Sequence, residues 1–287
     1  MTAENELSCG RFLLANADVA QTFTPEDFSE EQRQIIDMPR RFAAESILPA
    51  IDRIEEKDFD LLRSLMIQAG ELGLLSADTP EEFDGLEMGK VTSALITEWI
   101  SVCASFTATL IAHSGIGLLP LLWYGTPEQK RRYLPAMLSG HTIAAYALSE
   151  GTSASDALNI RTSARLSEDG THYVLNGEKM WISNAGLADI FTLFAKIDGD
   201  QFTAFLIERN TEGLKIGKEE SKMGIRGSST CPVVLRDCRV PVSNVLGVPG
   251  RGHHIAFNVL NAGRYKLGAM VLGGARYALQ DAIAYAQ

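Results

Sequence analysis

The spacing of apolar residues changes period twice along this chain, and no single regular element satisfies both periods. Between about residues 25 and 140 apolar residues recur every three or four positions, as one face of a helix requires. From Ile143 to about Val242 they alternate, in short runs divided by Asp169-Gly170, Asn176-Gly177 and Asp198-Gly199. These pairs tolerate the positive φ angles of tight turns, so they predict three hairpins and a small β-domain. After Gly247, Gly250 and Gly252 the helical period returns, with Leu260, Leu267, Val271, Leu272, Leu279 and Ile283 as one apolar stripe. The chain therefore reads as α+β with segregated layers. The expected parts are an arm over 1–24, a helical domain over 25–142, a β-domain over 143–246 and the first helix of a second helical domain over 247–287.

Local signals mark the helices. Ser29-Glu-Glu-Gln32 is a capping box opening a helix toward Ile54, and Pro39 within it predicts a kink or a division. A second helix over 59–72 stops at Gly73. Residues 91–112 form the most apolar long stretch, but Glu98 and several hydroxyl residues interrupt it. It falls short of the roughly 18 apolar residues that span a bilayer, and reads as one core helix. Thr126-Pro-Glu-Gln129 caps a further helix that Gly140 closes.

With a formal net charge of -10 and a pI near 5.1, the chain would repel nucleic acid and anionic membranes, so an anionic ligand must meet a local basic group. The four cysteines, Cys9, Cys103, Cys231 and Cys238, lack the paired spacing of a metal site, and the first residues lack a secretion signal. Cys231 and Cys238 read as free thiols in a reducing cytoplasm. The adjacent His253 and His254 have no third ligand nearby and read as solvated or capping, not metal-binding.

Two segments are built to receive a ligand. In Tyr146-Ala-Leu-Ser-Glu150-Gly-Thr-Ser-Ala-Ser155-Asp156, small residues leave backbone N–H groups and hydroxyls open to a phosphate or a ring edge. In Asn176-Gly177-Glu-Lys-Met-Trp181-Ile-Ser183-Asn184, Trp181 and Ser183 lie two apart on a strand and so share a face, an aromatic plane beside a hydroxyl. Trp181 taken alone reads first as an ordinary sheet aromatic packed on a helix.

Both segments resemble the acyl-CoA dehydrogenase signature of an aliphatic residue, Ser or Thr, Glu, Pro, two variable residues, Gly, Ser and Asp, followed by Trp-Ile-Ser/Thr-Asn. Gly151 stands where the family usually has proline, and Ala154 where it usually has glycine. The likeness extends through Lys222-Met-Gly-Ile-Arg-Gly-Ser-Ser, Val240-Pro241, Asn244-Val-Leu-Gly247 and Asn261-Ala-Gly-Arg264, nearest the very-long-chain branch. The resemblance implies an acyl-CoA dehydrogenase fold and FAD-dependent α,β-dehydrogenation of a long-chain acyl-CoA in β-oxidation. It implies that Tyr146, Leu148, Ser149, Ser155, Trp181, Ile182 and Ser183 hold FAD, and that Ser155, Asn261 and Arg264 meet the substrate. It further implies electron-transfer flavoprotein as acceptor, a homodimer or homotetramer, and no transmembrane segment.

The chemistry also requires a carboxylate base. In the resembled family, the signature glutamate, here Glu150, is not that base, and Glu150 reads as accepting backbone N–H bonds near its loop. Some members carry the base immediately before the arginine that here is Arg264, but that position is Gly263. The resemblance thus places the base beyond Gln287, in a bundle that would also cover the apolar stripe. Arg264 reads equally as a surface ion-pairing residue. Two rivals stand beside the dehydrogenase: an acyl-CoA oxidase, and a non-catalytic flavin-binding or assembly module of the same fold.

Overall fold

Ser29 and Gln32 cap the first helix reciprocally, the Gln32 amide donating to Ser29 Oγ at 3.1 Å and the Ser29 amide to Gln32 Oε1 at 3.0 Å. The computed structural model describes residues 24–287, so the expected arm, except Thr24, and Cys9 lie outside the described residues. The run toward Ile54 is divided into α1 (Glu30–Ile35), α2 (Asp37–Phe42), a π-helical turn (Ala43–Ile47) and α3 (Ile51–Glu55). Pro39 sits in the first turn of α2 and has no N–H to offer the turn before it, so the chain breaks at Ile36. Helix α4 (Phe59–Glu71) ends where Gly73 turns left-handed at φ 72°.

The stretch over 91–112 is not the single helix expected. It is α5 (Gly89–Ile100) and α6 (Ala104–Ile111), parted where the Ser101 hydroxyl donates to the Thr97 carbonyl and Ser101 leaves the helix at ψ 53°. Helical hydropathy thus continues across a break in the helix itself. Beyond α6 come a second π-helical turn (Ala112–Gly117), α7 (Leu119–Tyr124) and α8 (Pro127–Leu138), the last capped by Thr126 and Gln129. Ala104–Tyr124 is long and apolar enough to cross a bilayer by length and composition, but 83% of its most apolar window is buried inside the protein.

The strands are β1 (Ala144–Ala147), β2 (Ser163–Leu166), β3 (His172–Ser183), β4 (Ile190–Ile197), β5 (Gln201–Glu208), β6 (Leu214–Ile216), β7 (Thr230–Pro241) and β8 (Val245–Leu246). They form one mixed sheet in the order β6-β7-β3-β2-β4-β5-β8, with β1 added on β4. Asp169-Gly170 joins β2 to β3 and Asp198-Gly199 joins β4 to β5, as predicted. Asn176-Gly177 is not a turn. Gly177 lies inside β3 opposite Leu235, where the ladder to β7 shifts register. At Gly177, φ is 152° and an added Cβ would stand 2.6 Å from Thr162 Oγ1, so the glycine serves close packing. Asn176 bridges the irregularity to Asp237, accepting from its amide at 2.8 Å and donating to its carboxylate at 3.1 Å. Cys103, Cys231 and Cys238 are free and buried, and burial pushes the Cys231 and Cys238 thiols up to about 12.

Helix α9 (Gly252–Ala286) buries Ile255, Val259, Ala262, Lys266, Met270 and Gly273. Its docking is close: a Cβ on Gly273 would fall 1.9 Å from the Glu98 carbonyl oxygen of α5. The stripe residues Leu267, Val271, Leu272, Leu279 and Ile283 instead remain 49–63% exposed on the other side. Buried Lys266 pairs with buried Asp78 at 2.7 Å, and Asp78 also receives Ser93 Oγ at 2.7 Å. Burial alone would raise the Asp78 carboxyl, but Lys266 and these donors hold it down to about 2.

His113 ties the helical layer to the sheet. Its Nδ1 accepts the Ala144 amide at 3.0 Å, so Nε2 carries the proton and donates to the Met137 carbonyl at 2.9 Å. Complete burial drives its pKa from 6.5 down to about 4, against the opposing pull of the Met137 carbonyl. The unfolded chain therefore takes up this proton first as the pH falls, and the stability that neutral His113 contributes above 6.5 is lost toward about 4. Unfolding free energy should drop by about 2 kcal/mol between about pH 8 and pH 5 on this account, and by distinctly less in His113→Gln, as measured by urea titration.

Candidate functional site

Strands β1 and β2 lie end to end along one edge of β4, Ala144 to Ala147 pairing in parallel with Ile190 to Leu193, and Ser163 and Ala164 with Lys196 and Ile197. Between them residues 148–162 leave the sheet, and Leu148, Ser149, Ala154 and Ser155 from this excursion line a cleft of about 340 Å³. Tyr146 lies at its floor, its hydroxyl donating to the Ala256 carbonyl of α9 at 3.3 Å.

The facing wall comes from the end of β3. The ladder to β7 slips between Lys179 and Ile182, and within that bulge Trp181 takes φ 57°. A left-handed tryptophan costs on the order of 1–3 kcal/mol and persists only where its surroundings impose it. Ile182 is buried between two exposed neighbours, so Trp181, 52% exposed, and Ser183 both face the cleft. The shared face predicted for the pair is present, but a bulge presents it, not a hairpin turn.

Helix α9 supplies Phe257, Leu260 and Arg264, and the π-helical turn supplies Ile116. Arg264 is exposed and donates to Asn261 Oδ1, and no ion pair among the described residues engages it. Asn261 lies outside the cleft lining and acts on it through that bond. A second cleft of about 340 Å³ shares Ile116, Ser183, Leu260 and Arg264 and continues in apolar residues including Ala108, Ile111, Leu267 and Met270. Gly263 belongs to its wall, where a Cβ would stand 2.8 Å from Ile116 Cγ2.

Glu150 is 5% exposed and turned into the protein. Its carboxylate accepts from the Arg161 amide at 2.6 Å, the Thr162 amide at 3.0 Å, the Thr162 hydroxyl at 2.5 Å and Lys179 Nζ at 2.8 Å. The backbone-accepting role expected of it is thus in place. Burial raises the Glu150 carboxyl, but Lys179 and the other donors outweigh burial and hold it below its ordinary value. Burial likewise lowers the Lys179 ammonium to about 8, with Glu150 pulling the other way.

The structure therefore gathers Tyr146, Leu148, Ser149, Ser155, Trp181, Ile182, Ser183 and Arg264 into one cleft, and it leaves Asn261 beside that cleft. Sequence reading missed Ile116, Phe257, Leu260 and the burial of Lys179. The spacing of Phe257, Leu260 and Arg264, three and four apart, was the available signal for one helical face. The irregular turn carrying Ile116 leaves no comparable mark in composition.

Residues 29–141 match the acyl-CoA dehydrogenase N-terminal domain, and residues 145–238 match the middle domain of the same enzymes. The chain belongs to the acyl-CoA dehydrogenase family. It is 49% identical over 277 residues to a probable acyl-CoA dehydrogenase of Bacillus subtilis, covering 96% of this chain and 47% of that protein. It is 38% identical over 280 residues to the human very long-chain specific acyl-CoA dehydrogenase, covering 91% of this chain and 42% of that enzyme. A crystal structure of an acyl-CoA dehydrogenase complexed with FAD from Bacillus anthracis superposes with a TM-score of 0.89 at 50% identity, over 92% of this chain and 45% of that one. The chain thus spans about half the length of these acyl-CoA dehydrogenases.

Removing one member of the buried Glu150–Lys179 pair strands the other charge. Glu150→Ala should lower the unfolding free energy by about 3–5 kcal/mol, read by chemical denaturation, while Glu150→Ala/Lys179→Met should recover much of that loss.

Proposed function

We propose that this chain forms the cofactor cleft and part of the substrate cleft of a FAD-dependent dehydrogenase that oxidises the α,β carbon–carbon bond of an acyl-CoA. The observation carrying the reading is the pairing of the two clefts: one walled by an exposed indole and hydroxyls, the other apolar, meeting at Ser183 and Arg264. The residues present fit FAD. Trp181 offers an exposed plane, Tyr146, Leu148 and Ile182 offer an apolar floor, and Ser149, Ser155 and Ser183 offer donors. FAD, when bound, supplies the acceptor for the hydride leaving the β-carbon.

On this reading Trp181 and Ile182 orient the ring, Ser183 donates to its edge, and Ser155 receives the phosphate region. Arg264, held by Asn261, meets the anionic or amide groups of the CoA moiety, a contact that suits a fork-shaped cation with no ion-paired carboxylate among the described residues. The apolar cleft receives the start of the acyl chain and keeps water from the reacting carbons. A long-chain thioester in fatty-acid β-oxidation is the proposed substrate, electron-transfer flavoprotein the proposed acceptor, and a cytoplasmic homodimer or homotetramer the proposed state.

The base is proposed to come from outside these 287 residues. Glu150 is saturated with donors and faces away from the cleft, and Gly263 carries no side chain. These same two observations favour the second reading, a flavin-binding module of this fold without dehydrogenation.

Trp181→Ala should weaken FAD retention by about fivefold or more, since stacking beyond area burial contributes on the order of 1 kcal/mol. Flavin content after dialysis of the two proteins checks it. Equal flavin in both would return Trp181 to the role of a plain sheet aromatic.

A further inference from the structure

Position 179 falls on the inward face of β3, in line with buried Leu175, where a sheet of this kind calls for an apolar side chain. Lysine stands there instead, its side chain 0% exposed. An ammonium so placed costs desolvation that the fold must offset, and such groups are often retained because they specify an arrangement. We propose that Lys179 is a positioning residue that sets the two walls of the cofactor cleft against each other, an inference that rests on the flavin reading above.

The geometry of its partners supports this. Lys179 Nζ donates to the Leu148 carbonyl at 3.2 Å and to Glu150 Oε1 at 2.8 Å, so it grips the first wall at the point where residues 148–162 leave the sheet. Through Glu150 it also holds the return of that excursion, because Glu150 accepts the amides of Arg161 and Thr162. Lys179 itself is the last paired residue before the register slip that carries Trp181. One buried ammonium therefore joins the start of the excursion, its end and the root of the bulge. Its neighbour Met180 adds a single backbone bond across the same gap, its amide donating to the Ser149 carbonyl at 2.9 Å.

The lysine stem does more than fill space. A methionine at 179 would keep most of the volume but leave the Leu148 carbonyl without this donor and Glu150 with neutral donors only. The excursion would then be free to move relative to Trp181, and the ligand between them would lose its fixed spacing.

The test compares FAD binding to the full-length apoprotein in wild type, Lys179→Met and Glu150→Gln/Lys179→Met, with FAD itself as the probe. Thermal melting is followed alongside the visible circular dichroism of bound flavin. The proposal expects the double variant to regain most of the stability that Lys179→Met loses, while both bind FAD about tenfold or more weakly and with an altered visible spectrum. If Lys179→Met does not fold, the double variant carries the comparison. A folded double variant with wild-type FAD affinity and spectrum overturns the proposal and leaves Lys179 a structural residue. Wild-type protein that binds no FAD overturns the flavin reading itself, and this inference with it.

Discussion

The edge of β4 is the constraint on which the rest of this structure depends. Seven of its eight residues are buried, as expected of a strand covered on both faces, and its run Ile190-Phe-Thr-Leu-Phe-Ala is correspondingly apolar. One edge is fully used by β5, and the other must be shared by β1 and β2. Sharing forces the chain out of the sheet between the two, and the cleft is what that excursion encloses. The site is thus a consequence of strand pairing and not an addition to a finished sheet.

Polar links join the sheet and its adjoining turns to the helical layer. Arg63 of α4 reaches Asp189 at 3.0 Å and the Leu187 carbonyl at 2.6 Å, and the Asp189 carboxylate accepts the Ile143 amide at 2.8 Å. Buried Asn184, directly after Ser183, donates to the carbonyls of Thr109 and Ala144 at 3.0 and 3.2 Å. The Ala144 peptide therefore receives Asn184 at its oxygen and His113 at its N–H, which pins β1, the end of β3 and the π-helical turn to one point. Buried donors bonded in this way are costly to break singly, and this rigidity lets a tryptophan hold a left-handed backbone at the cleft.

Much of this was legible in the residues. The changes of period marked the helical and strand regions, the Ser29 and Thr126 capping boxes located two helix starts, and the alternation of Trp181, Ile182 and Ser183 gave the cleft face. At Asn176-Gly177 and at Lys179 a local rule was overridden by a distant partner. Asn176-Gly177 has the turn signature, but Thr162 and Asp237 use it to pack a strand irregularity. The apolar stretch over 91–112 has helical hydropathy throughout, but the backbone leaves the helix at Ser101 and resumes it at Ala104. Lys179 reads as a surface residue by type, and only the strand's register, with Glu150 opposite, shows that it is buried.

On the proposed reading, the indole-walled cleft and the apolar cleft hold a flavin and an acyl thioester against each other. The most direct measurement is the visible absorption of flavin bound to the full-length protein, recorded anaerobically while a saturated long-chain acyl-CoA is added. Flavin should be bound in the protein as purified and should lose its oxidised absorption on addition of the thioester. Bound flavin whose spectrum is indifferent to acyl-CoA at every concentration would contradict it.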